Sequence, residues 1–553
     1  MNTRDIDTTI GLARAAWSRG DAANADRLCR EGLALDPDHA EGLLLIAEIR
    51  LAATPDEPLA HLLMAHALRR ADRAGEAIPY AEAAVAAEPG DGERRNMLGL
   101  VLRESGRLDD AIEQFRLAVA AVSGLAEFGL NLGAGLIETD RGDEARDAFS
   151  AVLRDHPELA EAWLGLGNAR RLLGDAPAAA DAYREATKRA PQDARAFNNL
   201  GVAAQQCGAF GEARASFDRA IALRPDLAEA QKNRAMLRLL QGDFAAGFEA
   251  FQWRWKEAGR VNRPRPFTQS AWDGAPLLGK TILVWGEQGV GDEIMFASLL
   301  PEIIAAADHC IVECETRLAP LFARSFPTAE IVARTDPPHP RLSEVKIDLQ
   351  CAAGDACRWL RADRASFAAP PPYLHAALDR TAALRGQYDK LGGGPKIGIA
   401  WHSRTPQWGE IKSTALDQWG AILTCPDVVW INLQYGDRVG ELDAARRAFG
   451  VTIHHDPNIN QFADLDAFAA QTAGLDIVVT TSNTTAHMAG ALGVPTLLLL
   501  ASVPDWRWQA AGDTALWYPD TTLFRQNKRG DWSAPIDAAA AELAARAAGL
   551  SRR

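Results

Sequence analysis

Small, aromatic and proline positions recur along the first half of the chain at a fixed interval of 34 residues. Pro55, Pro89, Pro157, Pro191 and Pro225 fall on one grid, with Ser123 at the node where proline is missing. Gly99, Gly133, Gly167 and Gly201 form a second column, with Ala65 one step earlier. Ala77, Ala111, Ala145, Ala179 and Ala213 form a third, and Phe115, Phe149, Tyr183 and Phe217 a fourth. A period of this length predicts a helical solenoid whose repeats bury their apolar faces only against one another. The small residue lets the second helix of each pair approach the first, and the alanine sits where they cross. The aromatic fills the space between repeats. The proline stands at the end of the pair, where it disrupts no interior hydrogen bond.

From residue 280 the pattern changes. TILVWG (281–286) is a short β-rich run that leads into GEQGVGDEIMFASLLPEI, a glycine turn followed by an amphipathic helix. HCIVECE predicts a second strand, and further strands are expected near 329–333 and 346–349. FAAPPPYLHA is a proline-rich connection. A second series follows: KIGIAWHS (396–403), VVWINLQ (428–434), a helix near 464–474, LDIVVTT (475–481), a helix at 484–492 and TLLLLAS (496–502). Strands alternating with helices predict parallel sheets. Two short series predict two Rossmann-like subdomains facing a cleft, with ligands at the carboxyl ends of the strands.

The four columns of the first half look like the tetratricopeptide repeat. The block containing Pro37 is out of phase and predicts an irregular first repeat plus an extra helix, as at a capping end. After Pro225 the pattern runs once more through Gly242 and Phe248. The stretch FQWRWKEAGRVNRPRPF is a linker expected to pack the last helix onto the next domain, with Trp253, Trp255 and Phe267 packed. The expected domains are a protein-binding solenoid over 1–257, a linker over 258–279, a first Rossmann-like subdomain over 280–375 and a second over 376–553.

Composition narrows the function. Hydrophobic residues make up 48% and charged residues 24% of 553, an ordinary globular balance. The net charge of −14 argues against a nucleic-acid binder, which needs a phosphate-neutralising surface. No apolar run of about 18 residues predicts a membrane span, and the N-terminus lacks the apolar core of a secretory signal. The expectation is a cytoplasmic protein. The seven cysteines are scattered, with no CxxC pair, and are read as reduced and mostly buried thiols. The spacing of Cys310, Cys314, Cys351 and Cys357 does not suit a zinc ribbon, so no metal site is expected.

Four clusters could carry chemistry. Gly286, Gly289 and Gly291 make a strand-to-helix turn with free N–H groups, and Asp292 follows as either a helix-terminal charge or a general base. His402, Ser403, Arg404 and Lys412 lie in the loop after a strand, where cations suit a phosphate or are simply solvated. Ser482, Asn483, Thr484 and Thr485 end a strand and cap a helix that carries His487, and four such residues exceed what one cap needs. In the tail, Trp506, Trp508, Trp517 and Trp532 are expected to pack, while Arg507, Arg525 and Lys528 could add charge near a ligand.

EQGVGDEIMFASLLPEI, AHMAGALGVP and the DWRW…WYPDTTLFRQ…GDW tail resemble bacterial proteins that fuse tetratricopeptide repeats to a heptosyltransferase-like glycosyltransferase. The chain looks most similar to flagellin glycosyltransferases. The resemblance implies a multidomain architecture, an all-α solenoid followed by an α/β GT-B enzyme. It implies a metal-independent mechanism without a cofactor and a nucleotide-sugar donor, with nonulosonic acids such as pseudaminic acid as the associated sugars. It implies that Asp292 is the base for the acceptor hydroxyl and that Lys412 meets donor phosphate. Thr484 and His487 match the donor signature Asp-Thr-x-x-x-His, in which Asn483 replaces the usual Asp. Gly289, Gly291, His402, Ser403, Arg404, Ser482 and Thr485 complete the expected donor-binding set. An amide at 483 would avoid repelling a donor that carries its own carboxylate, and Arg404 would pair with that carboxylate. The expected partners are a protein acceptor, flagellin, and the nucleotide sugar. The rival readings are a transferase for lipid or polysaccharide acceptors and a non-catalytic scaffold.

Overall fold

The computed structural model of the chain describes residues 3–257, 263–368, 371–404 and 409–550. Two compact units are present, Met1–Cys207 and Gly208–Arg553.

The first unit is all helical: twelve α-helices among the described residues, from Thr3–Ser18 to Ala194–Gln206. Pro55, Pro89, Pro157 and Pro191 lie in turns between helices, where a missing N–H costs nothing. The glycine and aromatic columns interlock directly. A Cβ on Gly99 would come within 2.5 Å of the Phe115 ring, and one on Gly133 within 2.5 Å of Phe149. The same relation links Gly167 and Tyr183 at 2.4 Å. Phe149 also lies against Gly165 of the following repeat, so the aromatic contacts two repeats at once. Ala77, Ala111, Ala145 and Ala179 are fully buried at the crossings. Ahead of the regular pairs lie Thr3–Ser18, Ala22–Leu35 and the extra helix Ala40–Ala53, which accounts for the phase shift at Pro37.

The second unit opens with three further helices, Phe210–Leu223, Ala228–Leu240 and Phe244–Phe251. The sequence predicts one solenoid through residue 257, whereas the compact division falls earlier, inside the repeats. The reason is apolar burial. Phe248 and Phe251 pack edge-on against Trp506, at 5.8 and 5.7 Å between ring centroids, and Phe244 packs on Phe367 at 4.8 Å. Arg254 adds a buried polar tie, donating from Nε to Glu287 at 2.8 Å and from Nη2 to Asp355 at 2.6 Å. Of the linker aromatics, Trp255 and Phe267 pack against the core of the first sheet, and Trp253 is half-buried beside Lys256. Linker residues 258–262 lie outside the described residues.

Two parallel sheets follow. The first comprises β1 (Ser270–Ala271), β2 (Thr281–Trp285), β3 (His309–Cys314), β4 (Glu330–Ala333) and β5 (Leu349–Ala352), in the order β1-β5-β2-β3-β4. The second comprises β6 (Lys396–Ala400), β7 (Val429–Asn432), β8 (Ile453–His454), β9 (Ile477–Thr481), β10 (Thr496–Leu500) and β11 (Thr521–Arg525), in the order β11-β10-β9-β6-β7-β8. All pairings are parallel, with Leu283 beside Ile311 and Ile397 beside Ile477. Helices cover both faces, so the central strands read as continuous apolar runs such as TLLLL rather than alternating ones. Each sheet is built outward from its first long strand, β2 or β6, in one direction and then the other. The strand order therefore reverses beside β2 and beside β6, which opens a crevice at their carboxyl ends. β1, β8 and β11 have no counterpart in the predicted elements. β1 and β8 are too short for a periodic signal, and β11 lies in the tail, which reads as packing tryptophans and basic side chains rather than as a strand.

Candidate functional site

A cleft of about 640 Å³ lies between the two sheets, lined by segments that follow β2, β3, β6, β7, β8, β9 and β10. From the expected set it gathers Gly289, Gly291, Asp292, Ser403, Arg404, Lys412, Ser482, Asn483, Thr484, Thr485 and His487. His402 does not line it. Arg525 is spent on the carbonyls of Trp508, Gln509 and Gly512, and Lys528 is exposed elsewhere. Residues 405–408 of the basic loop lie outside the described residues.

The turn after β2 is shaped by close packing. At Gly286 a Cβ would meet the Glu293 carboxylate at 2.3 Å. At Gly291 it would meet His487 Cδ2 at 2.9 Å, where helix Val290–Phe296 lies against helix Thr484–Ala491. The left-handed residue of the turn is Gln288, with φ 64°, rather than a glycine. Asp292 Oδ2 accepts the Gly289 N–H at 3.2 Å and so caps its own helix. Its other oxygen accepts from Arg507 Nε at 2.7 Å. Below the turn, burial pushes the Glu293 carboxyl up to about 7 despite its pairing with Arg334.

The opposite wall is built on the second sheet. Gln434 Oε1 accepts from the N–H groups of both Trp401 and His402, at 2.9 and 2.8 Å, and so fixes the end of β6. Ser403 N–H donates to Ser413 Oγ, and Arg404 N–H to the Tyr435 hydroxyl. Asn483 caps its helix by accepting from Thr485 N–H at 2.9 Å, while its Nδ2 donates to the His402 carbonyl at 3.3 Å. An aspartate could not donate to that carbonyl. The amide therefore has a structural reason that involves no ligand. Ser482 Oγ accepts from Trp508 Nε1 at 2.8 Å. His487 is sandwiched by packing: it stacks on Trp508 at 5.1 Å, and its Nδ1 lies 2.9 Å from the Tyr518 hydroxyl. Burial, then the nearby Arg507 charge, pushes the His487 imidazole down to about 3, so it is neutral near pH 7.

Charge is the distinctive property of the cleft. Its walls carry Arg317, Arg404, Lys412 and Arg507 against Asp292 and Asp505, four cations to two anions and a local excess of +2, on a chain whose net charge is −14. Arg507 links the two carboxylates. It pairs with Asp292 and Asp505 and donates from Nη2 to Gln288 at 3.1 Å. Lys412 Nζ lies 3.6 Å from the outer oxygen of Asp505. Burial opposes charge on Asp505, yet Arg507 and Lys412 outweigh it and hold the carboxyl well below the usual range. The same carboxylates outweigh burial at Arg507 and raise its guanidinium further. Sequence reasoning missed Asp505, Gln288, Arg317, Tyr435 and Phe462. Asp505 stood two residues from the noted Arg507 and Gln288 inside the noted glycine turn, while Arg317, Tyr435 and Phe462 fall in connecting segments that lack a motif.

Residues 62–126, 130–194 and 173–228 match the tetratricopeptide repeat family, so the chain carries these repeats, which support binding of a peptide or protein. A relative, Protein FlbA of Caulobacter vibrioides, is 34% identical over 332 residues, 58% of this chain and 55% of its own length. The chain thus matches about half the length of that relative. Among solved structures, MamA from Desulfovibrio magneticus RS-1 matches 31% of this chain and 96% of its own at 19% identity, with a TM-score of 0.29. YrrB, a tetratricopeptide repeat protein with an unusual peptide-binding site, matches 33% of this chain and 95% of its own at 18% identity, with a TM-score of 0.29. Among the described residues no helix is long and apolar enough to cross a membrane, and no cluster of metal-ligating side chains occurs. Cys29, Cys310, Cys314, Cys351 and Cys357 are buried free thiols, and Cys207 is exposed.

Proposed function

We propose that the α/β half is a glycosyltransferase of GT-B type that O-glycosylates a protein acceptor, flagellin, held by the repeats. The observation that carries this reading is the cationic cleft at the carboxyl ends of two facing parallel sheets. Such a cleft suits an anionic nucleotide sugar. The acceptor and the sugar class, a nonulosonic acid such as pseudaminic acid, come from the family resemblance.

In this reading Asp292 takes the proton of a Ser or Thr hydroxyl. The hydroxyl oxygen bonds to the anomeric carbon, and the bond from that carbon to the donor's phosphate oxygen breaks. The departing nucleotide keeps the electron pair, and Lys412, Arg404 and Arg507 meet its charge. The chemistry is metal-independent and takes place in the cytoplasm before export. His487 serves by packing and as a neutral donor or acceptor, not as an acid, since burial keeps it uncharged.

One observation favours a second reading, a scaffold without chemistry: both Asp292 oxygens are engaged by N–H donors of the protein itself. Intact-mass analysis of flagellin from cells with and without this gene tests the proposal. A mass difference equal to one or more sugars is expected, and equal masses would remove the flagellin reading. Restoring the gene as Asp292→Ala separates the two readings, since a scaffold would restore the mass and a transferase would not.

A further inference from the structure

We propose that Asp505 sits in the donor's anion subsite as an internal occupant, and that Arg507 is the residue through which donor binding frees Asp292. This rests on the donor-site reading above. The Asp505 carboxylate bridges the two cations best placed for a phosphate, Lys412 on one oxygen and Arg507 on the other. The hold on Lys412 is loose: 3.6 Å exceeds hydrogen-bond length. Arg507 divides its planar fork among Asp505, Asp292 and Gln288, so two carboxylates compete for one guanidinium. A phosphate or pyrophosphate group offers more oxygens and more charge than one carboxylate, and both cations can bind it.

Asp505, Asp292, Lys412 and Arg507 all line the same cleft, so an incoming anion reaches the pair from the solvent side. Its arrival displaces Asp505 from Lys412 and from Arg507 Nη1. The guanidinium is then drawn toward the phosphate and loosens its grip on Asp292. With Arg507 in place both Asp292 oxygens are engaged by N–H donors, and its release opens Oδ1 to an acceptor hydroxyl. The candidate base therefore becomes competent when the donor is in place, which ties acceptor activation to donor occupancy.

Calorimetric titration of the full chain with inorganic pyrophosphate tests this. Asp505→Asn keeps an oxygen to accept the Arg507 N–H that Asp505 now receives at 3.2 Å. Asp505→Ser serves as a second variant if the first is poorly folded by melting temperature. Removing the internal occupant should tighten pyrophosphate binding about tenfold. Asp466→Asn removes one charge on Leu465–Ala473, a helix whose first residue lines the cleft, and should change it by less than about twofold. Arg507→Gln and Lys412→Met should each weaken binding about tenfold or more. Equal or weaker binding in both Asp505 variants overturns the inference, as does an equal gain in Asp466→Asn. Absence of pyrophosphate binding in the wild type and every variant overturns the donor-site reading itself.

Discussion

Arg507 donates from Nε to Asp292 Oδ1 at 2.7 Å, so the candidate base on the first sheet's turn and the candidate anion ligand beyond β10 form one ion pair across the cleft. The pair ties the two halves of the α/β region together at the cleft.

Asp292→Asn keeps the shape of the side chain and removes its ability to take a proton. Sugar transfer to the acceptor should fall by roughly 10²- to 10⁴-fold, the usual contribution of a general base. Melting temperature should fall modestly: the Gly289 N–H can still be accepted, while Arg507 loses one of its two carboxylate partners and keeps Asp505. Retained transfer, read by acceptor mass, would assign Asp292 to helix capping alone.

Asn483→Asp exchanges the amide that donates to the His402 carbonyl for a carboxylate facing that oxygen. The chain should lose about 1–3 kcal/mol of stability, the cost of an unmade buried bond. Urea unfolding at pH 7.5 measures it. An unchanged midpoint would remove the structural explanation for the amide and return it to the ligand.

His487 makes stability depend on pH in a defined direction. Its folded-state value, about 3, lies below the 6.5 of a free imidazole. The unfolded chain therefore binds the proton first. The stabilising contribution is complete above pH 6.5 and is lost as pH falls toward 3. Melting temperature should drop over that window, and His487→Gln should flatten this part of the profile. A variant with the same slope as the wild type would show that other groups set it.

Arg254→Met would leave Glu287, 1% exposed, without its charge partner. Removing one member of a buried pair costs about 3–5 kcal/mol. Adding Glu287→Gln should recover part of the loss, as a double-mutant cycle by denaturant unfolding would show. Additive effects would mean that the two side chains do not interact.

In the solenoid, Gly133→Ala places a methyl group 2.5 Å from the Phe149 ring. The helix pair must separate, at about 1–3 kcal/mol. Gly75→Ala, where nothing lies within 4 Å of the added carbon, should be neutral or slightly stabilising in the same thermal melt.

The repeats were legible in the sequence because each of their contacts is local. Gly133 and Phe149 lie 16 positions apart, so a period of 34 residues records the packing directly. The long strands were legible for a related reason. TILVW, KIGIA and TLLLL are buried on both faces, and unbroken apolar runs mark such strands. The glycine turn and the capping run after β9 stood out because glycine and short polar side chains are what those backbone positions need.

Only the tertiary structure decided what those residues face. Asp292 and Arg507 are 215 positions apart, and no local pattern links them. Tertiary contacts tied Asn483 to His402 within the cleft lining, left His402 off that lining, and brought in Asp505 from the tail. They also joined the last three helices of the repeat region to the α/β unit, because Phe244, Phe248 and Phe251 bury their rings there. Helix and strand periods are set by the backbone and recur along the chain, whereas a cleft is set by the order in which strands lie side by side.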